Sequence, residues 1–160
     1  VTDLAILAIA NARRWATGVS LETLGPNDGP EIRQWLLRRG LHQPAPWCAA
    51  FACAMVQDAA HALGIVPELH YSAGALRLLA LNDSLAIQQP EPGCLVVWDH
   101  GGGKGHVGIV TTVAAVAGEV AAIRVIAGNT NLEGGREGNA VVERGFDAPV
   151  ERLAGYIRVG

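Results

Sequence analysis

Apolar residues along the chain change their spacing near residue 89. Before that point they recur at helical intervals. Leu4, Leu7, Ala8 and Trp15, with Asn11 on the same stripe and Arg13 and Arg14 off it, predict a first helix over residues 3–16. The segment LGPNDGP, residues 24–30, is turn chemistry, and Pro30 suits the first position of a second helix, EIRQWLLRR, that stops at Gly40. After the loop HQPAP a third helix is expected from about Trp47 to Ala62, ended by Gly64. Its alanines allow other elements to approach closely, which makes it the central helix. Ser72 can cap a fourth helix running to about Leu81, and Asn-Asp-Ser at 82–84 breaks it.

Beyond Gln89 the pattern becomes that of strands. CLVVWDH and HVGIVTTV flank the glycine loop GGGKG as a hairpin, AAIRVIAGN leads into the polar loop TNLEGGREGN, and AVVERGF and LAGYIRV follow. Helices first and antiparallel strands second predict an α+β domain in which N-terminal helices pack on a small sheet of about five strands. No internal repeat, low-complexity tract or linker interrupts residues 1–160, so a single domain is expected.

Composition narrows the function. With 160 residues, half of them hydrophobic, the chain can bury roughly 70% of its unfolded surface as one domain. A net charge of -3 and a pI near 5.9 give no basic footprint, so neither nucleic acid nor an anionic membrane is an expected partner. The apolar run LAILAIA at residues 4–10 is far shorter than the ~20 residues of a membrane span and lacks the basic region of a signal peptide. Three cysteines, Cys48, Cys53 and Cys94, cannot all pair within one chain, and their spacing fits neither a disulfide framework nor a zinc motif. At least one free thiol is expected.

The stretch PAPWCAAFACAMV, residues 44–56, raises the chemical question. A cysteine attacks as its thiolate, which is a few per cent of an ordinary thiol near pH 7. With Pro46 in the first turn of the third helix, Cys48 lies in that turn, where outward N–H groups and the helix dipole favour negative charge. Free cysteines are also among the most buried residues, so core wall and nucleophile both stand as readings of Cys48. Cys53, roughly 140° around the helix from Cys48, and Cys94, at the start of an apolar strand, keep the core reading.

A nucleophilic cysteine needs a base and a group to orient it. His106 follows the glycine loop and opens the strand VGIVTTV, which gives it a rigid mounting. His100 on the same hairpin is the second choice, or a substrate contact. His42, His61 and His70 read as surface residues. Asn129 ends the strand IRVIAGN; beside the HVGIV strand it would stand next to His106, although GNTN is also good turn chemistry and Asn131 competes for the role. Trp47 and Trp98 flank these motifs and could line a groove or simply pack, and Asp99 could line the same groove or be a solvated hairpin residue, the favoured reading. Lys104 does not make a P-loop, since no Ser or Thr follows it. Arg136 and Glu137 are loop charges that could touch substrate.

Together, PWCAAFA, GHVGIV and AGNTN resemble the cysteine, histidine-dependent amidohydrolase/peptidase (CHAP) family within the NlpC/P60 group of papain-like thiol hydrolases, with a phage-type loop after the asparagine. NDGPEIRQWLLRRG, EPGCLVVWDH and GYIRV extend the resemblance over most of the chain. The resemblance implies a papain-like fold and a triad of Cys48 as nucleophile, His106 as general base and acid, and Asn129 orienting His106. Two positions depart from the family pattern. Ala127 stands where many members carry a glutamate, and Cys94 where an aspartate usually follows the Pro-Gly turn.

The activity implied is cleavage of amide bonds in bacterial peptidoglycan, at the muramyl–stem peptide junction or within the peptides, through a thioester and with no metal or cofactor. Trp47, Trp98, Asp99 and His100 are the candidate substrate contacts. The implied site of action is the cell wall, as a monomer, reached from a phage or by an export route other than a visible signal; an immunity or phage-tail partner is left open. A zinc hydrolase using His100, His106, Asp99 or Cys48 finds no HExxH and no compact ligand spacing. The remaining alternative is a weak or inactive wall-binding or phage-structural module, motivated by Ala127.

Overall fold

The computed structural model describes residues 1–130 and 138–160. Helix α1 (Asp3–Trp15) starts where the Thr2 hydroxyl accepts the Ala5 N–H at 3.2 Å, with Asp3 in its first turn and Arg13 and Arg14 in its last. Both ends therefore complement the helix dipole. Its buried stripe of Leu4, Ala8 and Ala12 lies against α3, and Asn11 Nδ2 donates to the Met55 carbonyl across the same interface. Helix α2 (Pro30–Leu37) opens on its proline and buries Ile32, Trp35 and Leu36.

Helix α3 (Cys48–Leu63) is apolar nearly all round and accordingly forms the centre of the molecule, covered by the other helices and the sheet. It ends at Gly64, whose φ of 67° is the left-handed conformation that glycine adopts without a Cβ clash. Helix α4 (Ala75–Leu81) begins three residues after Ser72, whose hydroxyl accepts the Gly74 N–H in the preceding turn rather than capping the helix itself. Asn82, expected only as a breaker, is fully buried. Its amide accepts from the His70 N–H and donates to the His70 and Leu78 carbonyls, tying the α3–α4 connection to the end of α4.

The sheet has six strands where about five were expected: β1 (Ala86–Ile87), β2 (Leu95–Asp99), β3 (Gly105–Val116), β4 (Glu119–Thr130), β5 (Ala140–Asp147) and β6 (Leu153–Ile157). All pairs are antiparallel, in the order β1-β6-β2-β3-β4-β5. The extra strand, β1, is two residues long and exists only through its pairing with β6, a partner about seventy residues away in sequence that no local pattern signals. Strands β3 and β4 run longer than their apolar cores because Ala117 and Gly118, both at positive φ, close them as a tight hairpin. One face of the sheet, including Val97, Val107, Ile109 and Ile126, packs on the helices. The opposite face carries a smaller cluster of Val96, Trp98, Val110, Ile123, Val125 and Tyr156.

Across β4, the Thr111 hydroxyl of β3 donates to Glu143 Oε1 of β5 at 2.7 Å, with Arg13 at 3.5 Å and Arg124 at 3.7 Å from the same carboxylate. Partial burial works against ionisation of Glu143, but the hydroxyl and the two guanidinium groups outweigh it and hold the carboxyl below the ordinary value of 4.5. A lowered folded-state value means the stabilisation is complete above the ordinary value and is lost as pH falls through the lowered one. Glu143→Gln is therefore expected to cost on the order of 1 kcal/mol near neutral pH, a difference that shrinks toward about pH 3. Urea unfolding at both pH values measures it; an equal loss at both would contradict the assignment.

Candidate active site

Three elements meet at one end of the sheet. Helix α3 supplies the first. Its ladder begins with the Phe51 N–H on the Trp47 carbonyl at 2.9 Å, so the N–H groups of residues 48–50 stand ahead of the ladder and point out of the helix end. Cys48 is the first helical residue, 5% exposed. Pro46, expected inside the first turn, lies one residue before the cap position held by Trp47; its fixed φ orders the approach to the helix, and Cys48 keeps its first-turn place.

Trp47 does not line a groove. It is fully buried, stacked on Trp35 at 5.7 Å and edge-on to Phe51 at 6.4 Å, and its indole N–H donates to Glu22 Oε1 at 3.2 Å. The expected substrate contact is thus an anchor for the start of α3. That anchor bears on β4: a Cβ built on Gly128 would lie 2.6 Å from Trp47 Cζ3 and 3.1 Å from Phe51 Cβ. Only glycine lets the strand and the helix terminus come this close.

The β3–β4 pair supplies the other two residues. The β3–β4 pairing reaches Ile109 opposite Ile126; beyond that pair β3 continues to His106 and β4 to Asn129, so the two residues lie at the same end of adjacent strands. A Cβ built on Gly108 would lie 2.9 Å from the Ile126 carbonyl oxygen and 3.2 Å from Ala127 Cβ, so the strands stay close past that pair. Asn129 is 1% exposed and has φ 55°, at a bulge where the β4–β5 register shifts between Ala127 and Thr130. Bulges re-aim side chains, and asparagine tolerates the left-handed conformation better than most residues. On its other side His106 is paired with Trp98 of β2, ring centroids 5.6 Å apart.

The remaining expected residues separate cleanly. Cys53 is sealed in the core with its S–H donating to the Ser72 carbonyl at 3.5 Å, and burial pushes its pKa up to about 11. Burial likewise pushes Cys94 up to about 12, on the opposite face of the sheet. Asp99 is exposed and accepts the Gly101 N–H at 2.8 Å, so it shapes the glycine turn as a solvated hairpin residue and is not among the residues lining the trough below. His42, His61 and His70 are exposed. Asn131, Arg136 and Glu137 lie outside the described residues. Among the described residues no three His, Cys, Asp or Glu side chains are grouped to hold a metal ion.

A trough of about 550 Å³ starts at His106 and runs over the outer face of the sheet. Trp98 and His100, both expected as substrate contacts, line it, as do Ala127, Val142, Arg144 and Phe146, and residues of the loop 147–152 complete its wall, with Arg152 beside Asp99 and His100. Cys48 is not among its lining residues. The β5 contribution went unread in the sequence, although Val142, Arg144 and Phe146 alternate in AVVERGFD and so share one strand face. That signal was available; which face it would present was not.

The CHAP domain family model matches residues 40–129, a span that holds α3, β2, β3 and both Cys48 and Asn129. No match is found among curated proteins. Among solved structures, the crystal structure of Ly7917 is similar in fold: TM-score 0.57, 15% identity, 97% of this chain covered. This chain spans 62% of that chain's length.

Proposed function

We propose, given that this chain belongs to the CHAP domain family, that it is a cysteine-dependent hydrolase of amide bonds in peptidoglycan. Membership itself points to amidase or peptidase hydrolysis of the cell wall in general terms. The finer reading assigns Cys48 as nucleophile, His106 as general base and acid, and Asn129 as the group that orients His106. One observation supports it: His106 and Asn129 lie at the same end of the adjacent strands β3 and β4, and residue 128 of β4 bears on the turn that begins with Cys48.

The chemistry follows from those positions. His106 takes the Cys48 proton, and the thiolate attacks the amide carbonyl carbon to form a C–S bond. The oxyanion is met by N–H groups at the start of α3, a contribution of ~3–4 kcal/mol per donor in other acyl-transfer enzymes. His106 returns the proton to the leaving nitrogen as the C–N bond breaks. Water, deprotonated by His106, then cleaves the thioester and restores the thiol. Ala127 supplies no carboxylate to the imidazole, so Asn129 does the orienting.

Mass spectrometry of fragments from purified sacculi tests the function and identifies the bond. Release of stem peptides with new amino termini from muramic acid is the amidase outcome, and opened cross-bridges are the endopeptidase outcome. Sacculi bound but chemically unchanged at high protein concentration would instead make this domain a wall-binding module, the reading that Ala127 favours.

A further inference from the structure

We infer that the hollow between the end of α2 and the start of α4 binds a phosphate dianion, as the free ion or as the end of a monoester. Arg38, Arg39, Tyr71, Ser72 and Arg77 line this space of about 470 Å³, and no acidic side chain does. None of these residues lines the trough at His106. The Cys53 S–H donates to the Ser72 carbonyl at 3.5 Å, so the hollow lies against the face of α3 that carries Cys53, roughly 140° around the helix from Cys48.

Its charge is not balanced from within the protein. Arg38 Nη1 donates to Asp58 Oδ1 at 2.7 Å, and among the described residues Asp58 is the one carboxylate paired with any of the three guanidinium groups. Arg39 instead donates from Nη2 to the neutral Gln57 Oε1 at 2.7 Å, and its Nε is buried without an acceptor. Arg77 is exposed on α4. Three guanidinium charges against one carboxylate leave a local excess of two, in a chain whose net charge is -3.

The donors are also held in place. The Arg39 guanidinium lies 4.7 Å over the centre of the Tyr71 ring while Gln57 fixes one of its nitrogens, so little rotamer freedom is left to lose on binding. The Ser72 hydroxyl accepts the Gly74 N–H at 3.1 Å, which leaves its own proton to donate, and the Tyr71 hydroxyl is a further donor. Arginine forks fit both carboxylate and phosphate. Charge separates the two: a carboxylate brings one negative charge and two oxygens, whereas a phosphate monoester brings about -1.5 to -2 and three acceptor oxygens. The second matches the excess of two and the number of donors.

Glycerol 3-phosphate is the probe, in about 0.15 M salt so that diffuse attraction is screened. In an NMR titration of the native protein it is expected to saturate at millimolar concentration or below and to shift the amides of Tyr71, Ser72, Ala73 and Gly74. Arg77→Gln is expected to weaken binding about tenfold or more, the range for a charge-assisted hydrogen bond. Arg77→Lys, which keeps the charge and loses the fork, is expected to recover part of that loss. Arg33→Gln, whose guanidinium pairs with Asp28 outside the hollow, is expected to bind as the native protein does. Dimethyl phosphate, with a single charge, is expected to bind about tenfold more weakly than the monoester. Inorganic phosphate separates the two sources: affinity equal to the ester's assigns the hollow to the free ion, and weaker affinity assigns it to an esterified phosphate. Circular dichroism of each variant controls for folding. Absence of saturation, shifts confined to other surfaces, binding indifferent to Arg77→Gln, or dimethyl phosphate binding as tightly as the monoester would overturn the site. No amide bond takes part, so each of these results is independent of the hydrolase reading.

Discussion

Cys48→Ala is expected to reduce amide cleavage of sacculi by a factor on the order of 10⁴ or more while leaving the thermal unfolding midpoint nearly unchanged. The size follows from removing the atom that forms the intermediate. The small stability effect follows from its place: alanine is an excellent helix residue at the first helical position, and Cys48 loses one sulfur where the helix end meets the surface. Cys53→Ala and Cys94→Ala are the controls. Both thiols are buried and held protonated, at about 11 and about 12, so at neutral pH neither supplies thiolate, and activity is expected to persist in each variant. Iodoacetamide should correspondingly label Cys48 and inactivate the native protein. Undiminished cleavage by Cys48→Ala would end the thiol mechanism.

Gly128→Ala is expected to have the second largest effect, on stability and activity together. The added methyl group would sit 2.6 Å from Trp47 Cζ3, and Trp47 cannot swing away because it is fully buried between Trp35 and Phe51. Overpacking of this kind costs about 1–3 kcal/mol. The strain falls between the cap of α3 and the strand that carries Asn129, so Cys48 is pushed away from the β3–β4 pair. An error of about 1 Å in such a constellation is worth about a hundredfold in rate. Chemical denaturation and sacculus digestion below the unfolding midpoint read the two effects separately. A variant that is destabilised but fully active would show that the contact supports the core without positioning Cys48.

The four helices and five of the six strands lie within a few residues of where apolar spacing puts them, because each buries a face whose period is local. The same holds for His106 and Asn129, which motif and strand boundaries bring to adjacent strands. Trp47 and Asp99 each left two readings open in the sequence, groove or packing for Trp47 and groove or solvated turn for Asp99, for a common reason. A residue beside a motif has the right address, but whether its side chain meets substrate, core or its own turn depends on what packs around it. The fully buried contact of Trp47 with Trp35 and Gly128 joins residues far apart in the chain, and no local pattern encodes it.

By itself, then, the chain determined its elements, its α+β class, and the identity and order of a cysteine at a helix start, a histidine at a strand start and an asparagine at a strand end. These are written in short-range periodicity, capping chemistry and motif. Only the tertiary structure decided that β1 and β6 close the sheet, that glycine at 128 admits the end of α3, and that β5 turns Val142, Arg144 and Phe146 toward the same trough as His106. Those outcomes depend on strand register and on contacts between residues distant in sequence. A shift of one residue would turn the same side chains to the opposite face.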